Sequence, residues 1–363
     1  MKKKRKSLKK SKALTVLLLL LVFFSALAIN CSAAGSDEIL SDFSAIIPEK
    51  TPFSAEDTDG LMEAFDIGSV FSFIITELSG KRSRLISFFL TLLAVTVLSC
   101  LSGAIGRWGG SALKAGTSII SSSILLAAIY PVIQSVISSL KTANDFFSLA
   151  APILCSVNLS GGAVSTAGVE ASGMALTVAF VSAVSSRILP VIAVFTFALS
   201  VLSSFGMGEN VAKGAKNLYN RLLGIVTLII SITLSLQTVI ASAKDSAALR
   251  TVRYTAGSMI PIVGGTVSSA LSTLTGGLVY IKDIIGTAAI GVILYIFLSP
   301  LAILLLYRLA LSLAEIISDF FGGGFCLSAF SYVLDATLAS YALCCMLYVV
   351  EIILFMRLGV VAV

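Results

Sequence analysis

Few residues in this chain are of types that could carry acid–base or metal chemistry. Its 363 residues include no histidine, which excludes histidine general bases, Ser–His and Cys–His nucleophile pairs, and histidine metal sites. The six cysteines form no C-x-x-C pair, so a zinc or iron–sulfur site is not expected. The sequence also lacks a P-loop and a dinucleotide-type glycine-rich turn. We therefore predict no catalytic, metal or cofactor site, and no enzyme.

Seven ionisable residues flank or interrupt the long apolar runs of the chain. Such a group inside a membrane usually marks an ion or proton path, whereas one at the lipid–water interface needs no such role. The sequence favours interfacial placement for each of them. They are Glu170, Lys282, Asp283, Glu315, Asp319, Asp335 and Glu351.

Two apolar segments combine a proline with a following glycine pair. Helices broken in this way expose backbone groups that lipid cannot satisfy, so they usually face protein or a water-filled cavity. These segments are therefore candidates for a conduit or for subunit packing. Helix kinks packed by serine and glycine, with no pore, are an equally good interpretation. The residues concerned are Pro152, Gly161, Gly162, Pro261, Gly264 and Gly265.

The elements that carry these residues are predicted to be membrane helices. Hydrophobic residues make up 57% of the chain and charged residues 12%, about half the usual charged share of a soluble domain. Crossing the hydrocarbon core takes about 20 apolar residues, and several runs approach or exceed this length. They are residues 85–105, 118–140, 188–205, 222–243, 257–281, 284–307 and 336–350. We predict an all-α, polytopic membrane protein with about six to eight membrane segments, some broken or re-entrant.

Two further segments are irregular in length. Residues 146–162 are apolar but short, with Pro152 inside. Residues 171–205 would form a helix of about 52 Å at 1.5 Å per residue, much longer than the roughly 30 Å core. The only charge in this run is Arg187, closely followed by Pro190. We therefore predict a break near Arg187 that leaves residues 171–186 short, tilted or re-entrant.

The N-terminal region divides into a targeting sequence and an exported segment. Eight basic residues in the first twelve precede an apolar run, so residues 1–34 are predicted to be a signal peptide cleaved after Ala34. An uncleaved signal anchor is the alternative. Residues 35–84 form an acidic extracytoplasmic segment with an amphipathic helix over residues 61–78, and residues 85–363 form the transmembrane domain. Because the basic cluster serves targeting, the lipid membrane and not nucleic acid is the expected partner.

Residues 247–282 carry the features of a known family. They are Leu249-Arg250-Thr251, Tyr254, Gly257, the run Ile260-Pro261-Ile262-Val263-Gly264 and the hydroxyl-rich stretch to Lys282, with Gly286 beyond it. Together with the layout, these features resemble the stage III sporulation protein AE family over roughly residues 61–350. Arg250 and Arg253 lie in the most specific part of the resemblance, and they join the candidates for a conduit or for helix packing.

The resemblance implies a role that composition could not show. Members of this family belong to a multi-protein complex in the mother-cell membrane around the forespore. That complex forms a channel-like connection between the two cells and supports late forespore gene expression and development. The implied partners are the other subunits, including ring-forming proteins and a secretion-type ATPase. The family supplies no catalytic residues.

A stand-alone secondary transporter or permease is the alternative function. It predicts a binding site at broken helices related by an internal repeat. The two Pro–Gly-Gly segments suggest such a repeat only faintly, and the two halves show no convincing self-similarity. An intramembrane enzyme would need a paired aspartate, a Ser–Lys dyad or a metal triad within the spans, and the composition argues against it.

Overall fold

The computed structural model describes residues 43–48, 66–105, 110–160, 162–203, 208–259, 264–320 and 325–357. Within these ranges every regular element is a helix and no strand occurs, which confirms the predicted all-α class. The predicted signal peptide, residues 1–34, lies outside the described ranges, as do Gly161 and Pro261.

Most of the chain lies in long helices. They are α1 Ile67–Gly80, α2 Arg82–Ile105, α3 Gly110–Ser160, α4 Val164–Ala183, α5 Leu189–Ser203, α6 Gly208–Met259, α7 Gly264–Phe320 and α8 Phe325–Arg357, with a π-helical turn at Val184–Ile188 between α4 and α5. The helix α1 corresponds to the described part of the predicted amphipathic helix. It begins after Asp66, whose Oδ2 accepts a hydrogen bond of 3.0 Å from the backbone N–H of Gly68, an N-cap that satisfies one free donor of the first turn.

Six stretches of the described helices are long and apolar enough to cross a membrane. They are Arg82–Leu101, Gly116–Ser160, Val164–Phe195, Asn217–Ala248, Val279–Phe320 and Leu327–Arg357. The prediction of a multi-pass membrane protein with six to eight segments is therefore confirmed.

Two predicted boundaries between segments are wrong. Residues 118–140 and 146–160 belong to one helix, α3, which contains both Pro131 and Pro152. Residues 257–281 and 284–307 were predicted as separate spans divided at Lys282, but α7 passes through this position without interruption. The Lys282 side chain is buried, so it requires no boundary with water.

The predicted break near Arg187 takes the form of a π-helical turn. Helix α4 continues into α5 through Val184–Ile188, and the N–H of Leu189 bonds to the carbonyl of Val184, five residues earlier. Pro190 has no N–H to donate to the carbonyl four residues earlier, and its ring crowds that carbonyl in the preceding turn. A π-helical turn adds a residue to the turn and relieves this crowding, so the chain passes Pro190 without leaving the helix.

The helices differ in how much of their surface is covered. In α7 and α8, 56% and 50% of the residues in the most apolar stretch are buried, against 22% in α6. The exposed side of α6 carries large apolar side chains such as Leu222, Ile229 and Leu236, which suits contact with lipid. The centre of the bundle is therefore formed by α7 and α8, which pack against each other and against α3.

Candidate functional site

A chain of polar side chains crosses the centre of the bundle. Lys282 on α7 donates a 2.7 Å hydrogen bond from Nζ to Oδ1 of Asn158 on α3. The Nδ2 of Asn158 then donates to Oε2 of Glu170 on α4. The exposed fractions of these three side chains are 1%, 0% and 2%. Three helices are thus joined by charge-assisted hydrogen bonds, about twice as strong as neutral ones.

A second buried carboxyl group lies next to this chain. Glu351 on α8 is 3% exposed, and its Oε1 accepts a 3.0 Å hydrogen bond from the hydroxyl of Thr177 on α4. We call Asn158, Glu170, Lys282 and Glu351 the ionic cluster. Residues three or four apart share one side of a helix, so Glu170, Gly173 and Thr177 form one stripe on α4 that faces Glu351.

Glycines allow α8 to approach its neighbours at this level. A Cβ atom on Gly173 would lie 3.4 Å from Oε1 of Glu351 and 2.9 Å from a methyl carbon of Leu234 on α6. On α7, a Cβ atom on Gly286 would collide with the side chain of Met356. The backbone–side chain contacts that position Glu351 and the last turn of α8 therefore require residues without a side chain at these two positions.

An aromatic ring covers the ammonium group. The Nζ of Lys282 lies 4.6 Å from the ring centroid of Phe355 on α8. A cation over the face of a ring at this distance is stabilised by about 0.5–2 kcal/mol, most when desolvated. The Phe355 ring thus stabilises the positive charge of Lys282 from the side of α8.

The turn between α3 and α4 is held by two separate devices. Gly162 has φ of 78°, and the N–H groups of Gly162 and Ala163 bond to the carbonyls of Leu159 and Asn158, each at 2.9 Å. This is a Schellman ending, in which glycine takes the left-handed position. Beyond it, Asp245 on α6 accepts hydrogen bonds of 3.1 and 2.7 Å from the first free N–H groups of α4, at Ser165 and Thr166.

A second polar region lies on another side of α7. A cavity of about 1210 Å³ between α1, α2, α3 and α7 is lined by hydroxyl, amide and charged side chains on a partly apolar wall. We call it the polar cavity. Its polar lining includes Glu77, Lys81, Gln134, Ser138, Ser139 and Ser299.

The charges of the polar cavity are paired through a hydroxyl group. Lys81 Nζ lies 3.0 Å from Oε2 of Glu77 and donates a 2.8 Å hydrogen bond to the hydroxyl of Ser299. That hydroxyl donates in turn to the same Glu77 oxygen, at 2.9 Å. The side chains of Lys81 and Glu77 are 30% and 31% exposed, so this pair belongs to an accessible wall.

A proline opens the helix beside the cavity and a serine closes the gap. Pro300 lies inside α7 and has no N–H to bond to the carbonyl of Ile296 four residues earlier. The hydroxyl of Ser139 on α3 donates to that carbonyl at 2.9 Å. Because this uses its one hydrogen, Ser139 must accept the 2.6 Å hydrogen bond it shares with the hydroxyl of Tyr341 on α8. Three helices are joined at the kink.

Comparison with known proteins identifies the family. The family model for stage III sporulation protein AE matches residues 62–362. The chain belongs to the stage III sporulation protein AE family. It is also similar to "Stage III sporulation protein AE" of Bacillus subtilis (strain 168), with 21% identity over 340 residues that cover 90% of this chain and 83% of the relative. No solved structure matches.

The ionic cluster contradicts part of the predicted placement of ionisable residues at the membrane interface in this family member. Interfacial placement was predicted for seven ionisable residues, and it is wrong for Glu170, Lys282 and Glu351, which are buried side by side. Each of them has a hydrogen-bond partner on a neighbouring helix, so none of them requires an interface. Of the other four, Asp335 is bonded to Arg308 on α7, and Asp319 is exposed.

The predicted conduit residues are not brought together in the described ranges. Pro152 lies on the exposed side of α3 and does not line the polar cavity. Gly162 ends α3, and Arg250 is exposed on α6. Helix α7 begins at Gly264, and nothing is described of the surroundings of Arg253, Gly264 or Gly265. The conduit assignment of these residues therefore stays a prediction.

The residues that sequence reasoning missed are Asn158, Thr177 and the pairing of Lys282. Asn158 has an amide side chain within the apolar residues 146–162. Because burying an amide is costly unless it is hydrogen-bonded, its position in an apolar run indicates a buried hydrogen-bond partner. Among the described residues, no group of three His, Cys, Asp or Glu side chains could hold a metal ion. The family member presents a polar cavity and a closed ionic cluster within a helical membrane bundle.

Proposed function

We propose that this chain is a non-enzymatic, multi-pass subunit of a channel or secretion-like complex that links mother cell and forespore. Membership of the stage III sporulation protein AE family carries the proposal, since the family supports a role in sporulation. The six apolar helices suit a subunit embedded in a membrane. On this proposal the chain lies in the mother-cell membrane around the forespore and supports late forespore gene expression.

The proposed partners are other membrane subunits, ring-forming proteins and a secretion-type ATPase. The apolar sides of α2 and α6 offer broad surfaces that could contact lipid or another membrane subunit. Leu90, Leu93 and Val97 on α2 are each at least half exposed. The acidic segment of residues 35–84 is proposed to dock a partner outside the cytoplasm.

Deletion of the gene in its own host tests this function. Sporulation is followed by microscopy, with a fluorescent fusion of the full chain in a parallel strain. Arrest after engulfment, with the fusion gathered around the forespore, is the expected result. Normal spores, or a fusion spread evenly over vegetative cells, would overturn the proposal.

A substitution in the recognised segment tests the same function without removing the chain. Replacing both Gly264 and Gly265 with leucine should impair assembly of the complex, because bulky side chains at a helix start obstruct close packing. Co-purification of the other subunits with the variant reports assembly. Unchanged sporulation of the double variant would count against a packing role of this segment.

A stand-alone secondary transporter is the second candidate function, and the polar cavity favours it. The cavity combines a Lys81–Glu77 pair with hydroxyl groups inside an apolar bundle, an arrangement that suits a small polar solute. This candidate predicts substrate uptake by vesicles that contain the purified chain alone. Sporulation arrest without such uptake would favour the complex.

A further inference from the structure

The ionic cluster has unequal numbers of positive and negative groups. In the part of the chain that the structure describes, its ionisable members are the ammonium of Lys282 and the carboxyls of Glu170 and Glu351, each at most 3% exposed. With all three ionised, the cluster would carry one net negative charge. Burying an uncompensated charge away from water costs several kcal/mol, so the cluster requires one more positive charge.

The described residues of the neighbouring helices do not supply that charge. On α6, Asp245 faces the start of α4 and is bonded to two backbone N–H groups. Besides the neutral amide of Asn158, the described part of α3 presents the Cys155 thiol to Glu170. On α7, Asp283 attracts both Lys282 and Arg357 of α8, so Asp283 and Arg357 together add no net charge. The added charges therefore balance or are themselves negative, and the deficit stays with the two glutamates.

The hydrogen bonds show where the missing charge can be held. An ammonium group only donates, so the amide oxygen of Asn158 must face Lys282 and its NH₂ group must face Glu170. This leaves Oε1 of Glu170 buried without a hydrogen-bond partner among the described residues. Glu351 lies over Gly173, one helical turn from Glu170, where side chains are about 5–6 Å apart.

We propose that the ionic cluster is a proton-binding site that holds one proton between the carboxyl groups of Glu170 and Glu351. The bound form has one carboxylic acid, one carboxylate and one ammonium group, with no net charge. The proton comes from water, forms an O–H bond with a carboxylate oxygen and returns to water when released. This inference is independent of the proposed role in sporulation, since it depends only on the packing of α3, α4, α7 and α8.

Infrared spectroscopy of the purified full-length chain in detergent tests the proposal, because a protonated carboxyl has its own C=O stretch. Near neutral pH the wild type should show this band. Glu170→Gln and Glu351→Gln should each abolish it, since the remaining glutamate and Lys282 then balance without a proton. Glu315→Gln, a half-buried glutamate elsewhere on α7, should leave the band in place.

Each pattern of bands decides the question. A band that persists in either Gln variant would overturn the shared proton, because an independent buried acid would not respond to its neighbour. A wild type without the band at neutral pH would overturn it as well. Lys282→Met, measured if the protein is monodisperse, should increase the band about twofold, since two carboxyls must then be neutral.

Changing the cation of the salt in the buffer distinguishes a bound proton from a bound metal cation. At constant pH, exchange of choline for sodium should leave the band unchanged. Loss of the band with sodium alone would show that the site prefers that ion and would overturn the assignment to a proton. Both Gln variants replace carboxyl by an amide of nearly the same shape, so folding is preserved while the charge is changed.

Discussion

The ionic cluster and the polar cavity contain the same chemical sequence of groups in different surroundings. In one, Lys282 donates to the amide of Asn158, which donates to Glu170. In the other, Lys81 donates to the hydroxyl of Ser299, which donates to Glu77. The first is at most 2% exposed, whereas the charged side chains of the second are about one-third exposed.

The difference shows that burial, and not the presence of an ion pair, decides how much such a chain of hydrogen bonds contributes to stability. Water screens an accessible pair, which contributes about 0–1 kcal/mol. Removing one member of a buried pair leaves the other uncompensated and costs about 3–5 kcal/mol. We therefore expect the ionic cluster to hold four helices in one arrangement, and the polar cavity to tolerate substitution and admit solvent.

The largest effect is expected at Lys282. Lys282→Met preserves the side-chain length but removes the ammonium group, so it should lower the free energy of unfolding by about 3–5 kcal/mol. Denaturation of the purified chain in mixed micelles measures this. Adding Glu170→Gln to the same variant should restore part of the loss, because the carboxyl group that must take up a proton once Lys282 is absent is then replaced by a neutral amide. A loss below that of the matching Lys81 variant would remove the contrast between the two regions.

The next effect tests the packing around the ionic cluster. Gly286→Leu places a side chain where Met356 lies, and overpacking of this kind costs about 1–3 kcal/mol. Gly276→Leu, on the same helix with no atom within 4 Å of its Cβ position, is the matched control with the same gain in helix propensity. Thermal unfolding of the two variants should differ, and equal midpoints would show that α7 and α8 do not need the close approach.

A smaller effect is expected at Ser139, which lines the polar cavity. Ser139→Ala leaves the Ile296 carbonyl and the Tyr341 hydroxyl without this partner, and it should cost about 1–1.5 kcal/mol. Ser138→Ala, on the exposed side of the same turn, should change the unfolding free energy little. If both alanine variants behave alike, the carbonyl freed by Pro300 is satisfied in some other way.

The smallest effect is expected in the polar cavity. Lys81→Met removes a one-third exposed ammonium group, and the unfolding free energy should change by less than about 1 kcal/mol. The change should also shrink as salt is added, because ions screen exposed pairs. A loss as large as that of Lys282→Met, independent of salt, would mean that the cavity is closed to water.

Much of the fold could be predicted from single segments of sequence. Apolar runs of the required length predict helices and a membrane, and the spacing of apolar residues predicts α1. The continuity of α7 through Lys282 could not be predicted in this way. The cost of burying Lys282 in a membrane depends on Asn158, a partner 124 residues away along the chain. Only the packing of α3 against α7 supplies that partner.

The polar cavity was beyond prediction for a related reason. A proline such as Pro300 normally breaks a helix, yet α7 continues past it. Ser139, 157 residues before Ile296, replaces the missing donor. The turn at Gly162 was easier to foresee, since glycine after an apolar helix is typical of a helix end. Local features were predictable, and compensation between distant helices was not.

The separation of Asn158 and Lys282 along the chain also bears on how the protein is made. At synthesis rates of about 5–20 residues per second, the 124 residues between them take roughly 6–25 s to appear. The hairpin of α3 and α4 thus emerges from the ribosome with Glu170 well before its counter-ion exists. We expect this hairpin to enter the bilayer with Glu170 neutral, or to wait beside the insertion machinery until α7 arrives and completes the bundle.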